Sequence, residues 1–147
     1  MASYITLANI EKKFGQSNVQ KWANVDNDDN LDKIAAKQRV AMDDAEGYIN
    51  SRLRGKGYVI PFTAPYPSEI VRITALRAAV ELYMSRGVVD ADPGENAMKP
   101  TIDEIERTLG QIISGRIKLD VVRDEYVPRV EEFEDDKTAA QKGAYVE

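Results

Sequence analysis

The sequence contains neither cysteine nor histidine. Without thiols there is no disulfide and no thiolate nucleophile, a composition that fits a reducing site of synthesis. With both residues missing, the usual zinc sites, the Ser/His/Asp and Cys/His triads and any imidazole acid or base at neutral pH are excluded. Any catalysis would rest on carboxylates, lysine, tyrosine or a hard metal, and no such constellation is present, so no enzyme is expected. Aromatic residues are sparse at 7%, with a single tryptophan. Long apolar runs are lacking as well: nothing approaches the roughly 20 residues that cross a bilayer, and residues 1–13 lack a basic segment followed by an apolar run. Neither a membrane span nor an export signal is expected. No glycine-rich phosphate loop follows a strand pattern, since Gly55-Lys56-Gly57 lacks the length and the hydroxyl residue of such a loop and suits a helix stop.

What is present describes one ordinary core. A chain of 147 residues with 43% hydrophobic and 31% charged residues supports a single domain and argues against wholesale disorder. Charge is unevenly placed. Residues 1–119 carry 16 basic and 16 acidic side chains, while residues 120–147 carry 4 and 9, so the whole net charge of -5 lies in the tail. A neutral body (1–119) and an acidic arm (120–147) are therefore expected, a distribution that argues against a DNA-wrapping protein.

The chain is organised around residues 31–67: a long helix, a glycine stop, a short apolar stretch and a proline-rich turn into a second helix. Before it, Thr6 precedes Leu7, Ile10 and Phe14 at helical spacing, Gly15 ends that helix, and a short helical turn after Ser17 carries Val19 and Trp22, the latter a core anchor. From Asp32 to about Arg54 a stripe of Ile34, Ala41, Ala45, Tyr48, Ile49 and Leu53 predicts a helix, with Gly47 marking a bend or a close helix crossing and Gly55-Lys56-Gly57 a left-handed cap. Residues 58–62 read as an edge strand or an ordered loop, because Pro61, Pro65 and Pro67 forbid a central strand. Ser68 and Glu69 open a helix through Ile70, Ile73, Leu76, Val80 and Tyr83 or Met84; its wide apolar arc predicts the most buried element. Residues 88–99 read as a surface loop that is either a contact loop or a tether. Pro100-Thr101 opens a last helix with Ile102, Ile105, Leu109, Ile112 and Ile113, stopped by Gly115. Residues 116–119 alternate as a short strand that would pair with residues 58–60. The expected fold class is mainly α: a small bundle of three to four helices with a short β-hairpin-like or edge-strand element and an extended C-terminal tail.

One cluster carries metal-type residues. Asp26, Asp28 and Asn30 stand at the first, third and fifth positions of a calcium loop, but Leu31 occupies the place of its glycine and Lys37 that of its closing glutamate. The pattern reads instead as a polar turn whose side chains bond local amides. No cofactor is expected. Carboxylate groups such as Asp43-Asp44 and Asp103, Glu104 and Glu106 fall on helix faces among basic residues, as solvated surface does. In the tail, Val121, Val122, Tyr126, Val127, Val130 and Phe133 are apolar anchors in an acidic context that cannot order itself. Binding arm and solvated tail both remain open.

The residues Tyr4-Ile5-Thr6-Leu7-Ala8-Asn9-Ile10 with Phe14-Gly15, the Asp-rich turn 26–32, the segment AEGYINSRL at 45–53, Tyr58, Pro61 and Phe62, the helix 68–83 and IERTLGQIISGRIKLD at 105–120 resemble the Mu-like bacteriophage structural protein family. That family is related in architecture to phage head-tail connector (head completion or adaptor) proteins. The likeness spans roughly residues 3–120. It implies a non-enzymatic virion protein, made in the host cytoplasm, that assembles at the head-tail interface as a homo-oligomeric ring of about twelve copies closed by head-to-tail contacts. Such a ring would sit under the portal protein, extend the DNA channel with non-specific contact to passing DNA, and meet the next neck or tail completion protein; no membrane is implied. In that setting Arg52, Arg54, Lys56, Tyr58, Phe62 and Tyr66 belong to a channel- or neighbour-facing loop, and the anchors from Val121 to Phe133 to a partner-binding arm. The competing expectation is a soluble adaptor or regulatory module whose acidic tail captures a basic partner.

Overall fold

A computed structural model describes residues 4–86 and 97–121. Among these described residues five helices follow one another: α1 (Leu7–Phe14), α2 (Gln16–Ala23), α3 (Leu31–Leu53), α4 (Ser68–Ser85) and α5 (Lys99–Ser114). The fold is mainly α, with five helices where three to four were expected, because Gly15 (φ 88°) turns the chain from α1 directly into a full second helix. No continuous strand forms among the described residues; Tyr58 alone stands in a β-bridge. The expected pairing of residues 58–60 with 116–119 is replaced by other bonds. After Gly115, in the left-handed conformation at φ 86°, the Ile117 amide donates back to the Gln111 carbonyl at 3.1 Å, so the chain folds onto the end of α5. The Tyr58 hydroxyl donates to the Ile112 carbonyl at 3.3 Å and ties the apolar stretch to the same helix end.

The centre of the bundle is α4. Ile70, Ile73, Thr74, Ala75, Leu76, Ala78, Ala79, Val80 and Leu82 are all buried, and all four other helices pack on this one. The alanines permit the close approach. The fully buried Thr74 hydroxyl donates to the Ile70 carbonyl at 2.6 Å, so this polar group within the core has its partner. On α3 the buried side is Ile34, Gln38, Ala41, Ala45, Ile49 and Leu53. Gln38 fills the seven-residue gap in the apolar stripe at the i+4 position between Ile34 and Ala41, where its polarity disguises it. Gly47 is neither at a bend in the buried face nor at a crossing: it is exposed, and a Cβ there would meet nothing within 4 Å. On α5 the buried side is Ile105, Thr108, Leu109 and Ile112, with Ile102 and Ile113 half-buried at its edges.

Trp22 is half-buried and sits edge-on between Phe14 and Tyr83, each ring centroid 5.7 Å away. This aromatic cluster fastens α1 and α2 to the end of α4, so the only indole is an anchor as its size predicts. No helix among the described residues is long and apolar enough to cross a membrane.

Candidate interaction surfaces

The Asp-rich turn between α2 and α3 is built mainly from local polar bonds. Asn27 and Asp29 adopt positive φ, 55° and 54°, a conformation Asn and Asp tolerate better than most residues. Asn24 and Asp29 join side chain to side chain at 2.8 Å, and Asp28 accepts from the Asn30 amide at 3.1 Å. Asn30 is the N-cap of α3, accepting from the Asp32 and Lys33 amides at 3.0 and 3.1 Å. The Lys33 ammonium lies 3.1 Å from Asp28 and 3.5 Å from Asp26, in the place a cation shared by those carboxylates would take. The hydrogen bond from Lys33 holds the Asp28 carboxyl below its usual range, and the reciprocal bond raises Lys33. Arg86 reaches across from the end of α4 to donate to the carbonyls of Lys21 and Asn24 at 2.6 and 2.9 Å. Asp26, Asp28 and Asn30 are thus spent on turn geometry, a helix cap and a lysine.

The loop between α3 and α4 differs from its expected form. Tyr58 and Phe62 are 3% and 5% exposed, which removes both side chains from a channel- or neighbour-facing set. Tyr66 is half-buried. The reason is Tyr4, which sequence patterning does not single out. Its ring lies 5.8 Å from Phe62 and 5.1 Å from Tyr66. Its hydroxyl donates to Asn50 Oδ1 at 2.6 Å and accepts from the Phe62 amide at 2.8 Å, while its own amide donates to Glu46 at 2.9 Å. Burial pushes the Tyr4 phenol above its ordinary pKa. The loop is therefore pinned to α3 by Tyr4, and its outward groups include Arg54, Lys56 and Val59.

Arg52 belongs to a different assembly. Tyr48 and Arg52 on α3 meet Glu106 on α5, the Tyr48 hydroxyl and the Arg52 guanidinium both donating to the carboxylate; Arg52 also donates to the Tyr48 oxygen at 2.9 Å. Arg77 of α4 lies over the Tyr48 ring at 3.9 Å and pairs with Glu81 at 2.8 Å, i to i+4. Burial works to raise the Glu106 carboxyl, but the bonds from Arg52 and Tyr48 outweigh it and hold it below the usual range. Tyr48 is raised, first by burial and then by Glu106. This cluster fastens three helices at their rim, so Arg52 and Glu106 form a structural pair instead of loose surface charges.

Concave surfaces among the described residues include two grooves. An apolar groove of about 270 Å³ runs between residues 23–28 and α3, lined by Ala23, Val25, Ile34, Ala36 and Val40. A larger open groove of about 650 Å³ lies between α1 and the start of α4. Among the exposed large apolar side chains are Leu31, Val40 and Val59. Of the arm anchors, Val121 packs half-buried against the core, and Val122, Tyr126, Val127, Val130 and Phe133 lie outside the described residues, as does most of the loop 88–99. Among the described residues no group of three or more carboxylates is gathered as metal ligands are.

In comparison with known proteins, the family model described as "Bacteriophage Mu, Gp36" matches residues 4–134. No curated protein sequence matches the chain.

Proposed function

The chain belongs to the Bacteriophage Mu Gp36 family, a membership that suggests a phage structural or assembly protein, and from that premise we propose that it is a head-tail connector subunit. In this reading the helical body assembles as a ring under the portal at the capsid vertex. It extends the DNA channel toward the neck, meets the next completion protein, and performs no catalysis. The observation that carries the proposal is the separation of charge: a body with 16 basic and 16 acidic residues, followed by an arm holding the whole net charge. A charge-balanced flank can meet a neighbouring copy head to tail, which is the contact a closed ring requires. An arm rich in acids and spaced apolar anchors offers a partner both charged and apolar contacts.

The fold supports the same reading. Among the described residues the core is centred on α4, and neighbours would meet at the surface grooves around it. Arg54 and Lys56 on the loop after α3 are the basic groups that would face passing DNA. The test is co-sedimentation of the purified full-length chain with portal rings. Binding at a fixed number of copies per portal supports the proposal; a chain that stays in the supernatant at every concentration contradicts it.

A further inference from the structure

The open groove between the end of α1 and the start of α4 is lined by Lys12, Lys13 and Arg72 together with Tyr66, Ser68 and Val71. No carboxylate lines it. Arg72 is already held by Glu104 and by Thr108, the latter at 3.1 Å. Lys12 and Lys13 are exposed and make no ion pair with any described carboxylate. The groove therefore offers two uncompensated ammonium groups beside an aromatic and an aliphatic surface. Its complement stands in the same sequence: residues 131–136 read Glu-Glu-Phe-Glu-Asp-Asp, five carboxylates around one phenylalanine.

We infer that this groove receives residues 131–136 of an adjacent copy of the chain, with the lysines meeting the carboxylates and Phe133 lying against Tyr66 and Val71. Phe133 lies twelve positions after Val121, an extended reach on the order of 40 Å. That compares with a radius of gyration of about 13 Å for a body of this size, so the arm can leave its own body. Nucleic acid is the less suitable occupant, because a phosphate backbone makes no use of the apolar surface between the charges. The inference rests on the ring reading above and names the surface that would link its copies.

The absence of native cysteine makes cross-linking unambiguous. A full-length Ser68→Cys/Glu132→Cys variant, mixed with portal rings and treated with a bismaleimide, is expected to give a ladder of multimers on a denaturing gel. Its yield should be at least tenfold that of a Lys37→Cys/Glu132→Cys control, whose first site lines the other groove. Adding Lys12→Glu and Lys13→Glu should abolish the ladder, and adding Glu131→Lys and Glu134→Lys to that variant should restore it. A cross-link confined to the monomer band, an equal yield from the control, or indifference to charge reversal overturns the inference. Ring counts in negative-stain images of the same samples separate the two levels: rings without the ladder overturn the inference alone, and absence of rings from the unmodified chain overturns the reading beneath it as well.

Discussion

Replacing Tyr4 by Phe isolates the bond network that pins the loop after α3. The substitution keeps the ring, so contacts with Phe62 and Tyr66 at 5.8 and 5.1 Å persist. What disappears is one oxygen serving two partners, the Phe62 amide at 2.8 Å and Asn50 Oδ1 at 2.6 Å. The amide is buried, and an unsatisfied buried donor costs about 1–3 kcal/mol, whereas the half-buried Asn50 can recover part of its loss from water. A net destabilisation of about 2 kcal/mol follows, which for a small domain in urea moves the midpoint by roughly 1 M at unchanged slope. Trp22, set between Phe14 and Tyr83, provides the fluorescence signal. Hydrogen exchange at the Phe62 amide should accelerate more than at amides in the middle of α4. A shift below about 0.5 kcal/mol, the range of an ordinary surface change, would refute the claim that Tyr4 holds this loop in place.

Gly47→Ala should stabilise the chain by up to about 1 kcal/mol, since a methyl group meets nothing there and the helix interior gains propensity; thermal unfolding would show a rise, and a fall would mean the site is tighter than described. Gly115→Ala should do the reverse, by about 1–2 kcal/mol, because the residue sits at φ 86°, and Gly115→Asn should recover part of that loss. Glu106 has its folded pKa depressed, so its contribution is fully present above the unfolded value near 4.5 and is lost as pH falls through the folded value. The group is more than a third exposed, so the effect is small, and Glu106→Gln should slightly flatten the acid limb of stability while leaving stability differences above pH 6 independent of pH. An acid limb of unchanged slope would show that the carboxylate is not coupled to folding.

The helices and their burial were legible because they rest on local periodicity. The small, apolar arc of α4 announces a central helix, and the glycines at 15, 55 and 115 announce the stops. Long-range pairing was not legible. Tyr4 meets partners 42 to 58 positions away, and nothing near residue 4 signals them. The prolines of the loop after α3 correctly exclude a central strand, yet they say nothing about which way Tyr58 and Phe62 face. Tyr48 reads as a core stripe residue, but its hydroxyl carries it to the rim, where Arg52, Arg77 and Glu106 gather. In the Asp-rich turn the local bonds were predictable from residue type, whereas the lysine between Asp26 and Asp28 depends on helix geometry one turn later. The groove between α1 and α4 joins residues some sixty positions apart and was invisible in the sequence.

On the proposed function, this helical body closes into a ring on the portal. Negative-stain images of the full-length chain mixed with its portal test it most directly. End-on views of closed rings seated on one face of the portal are expected, with a density layer absent from portal alone. Monomers that never form or join rings at any concentration would contradict it.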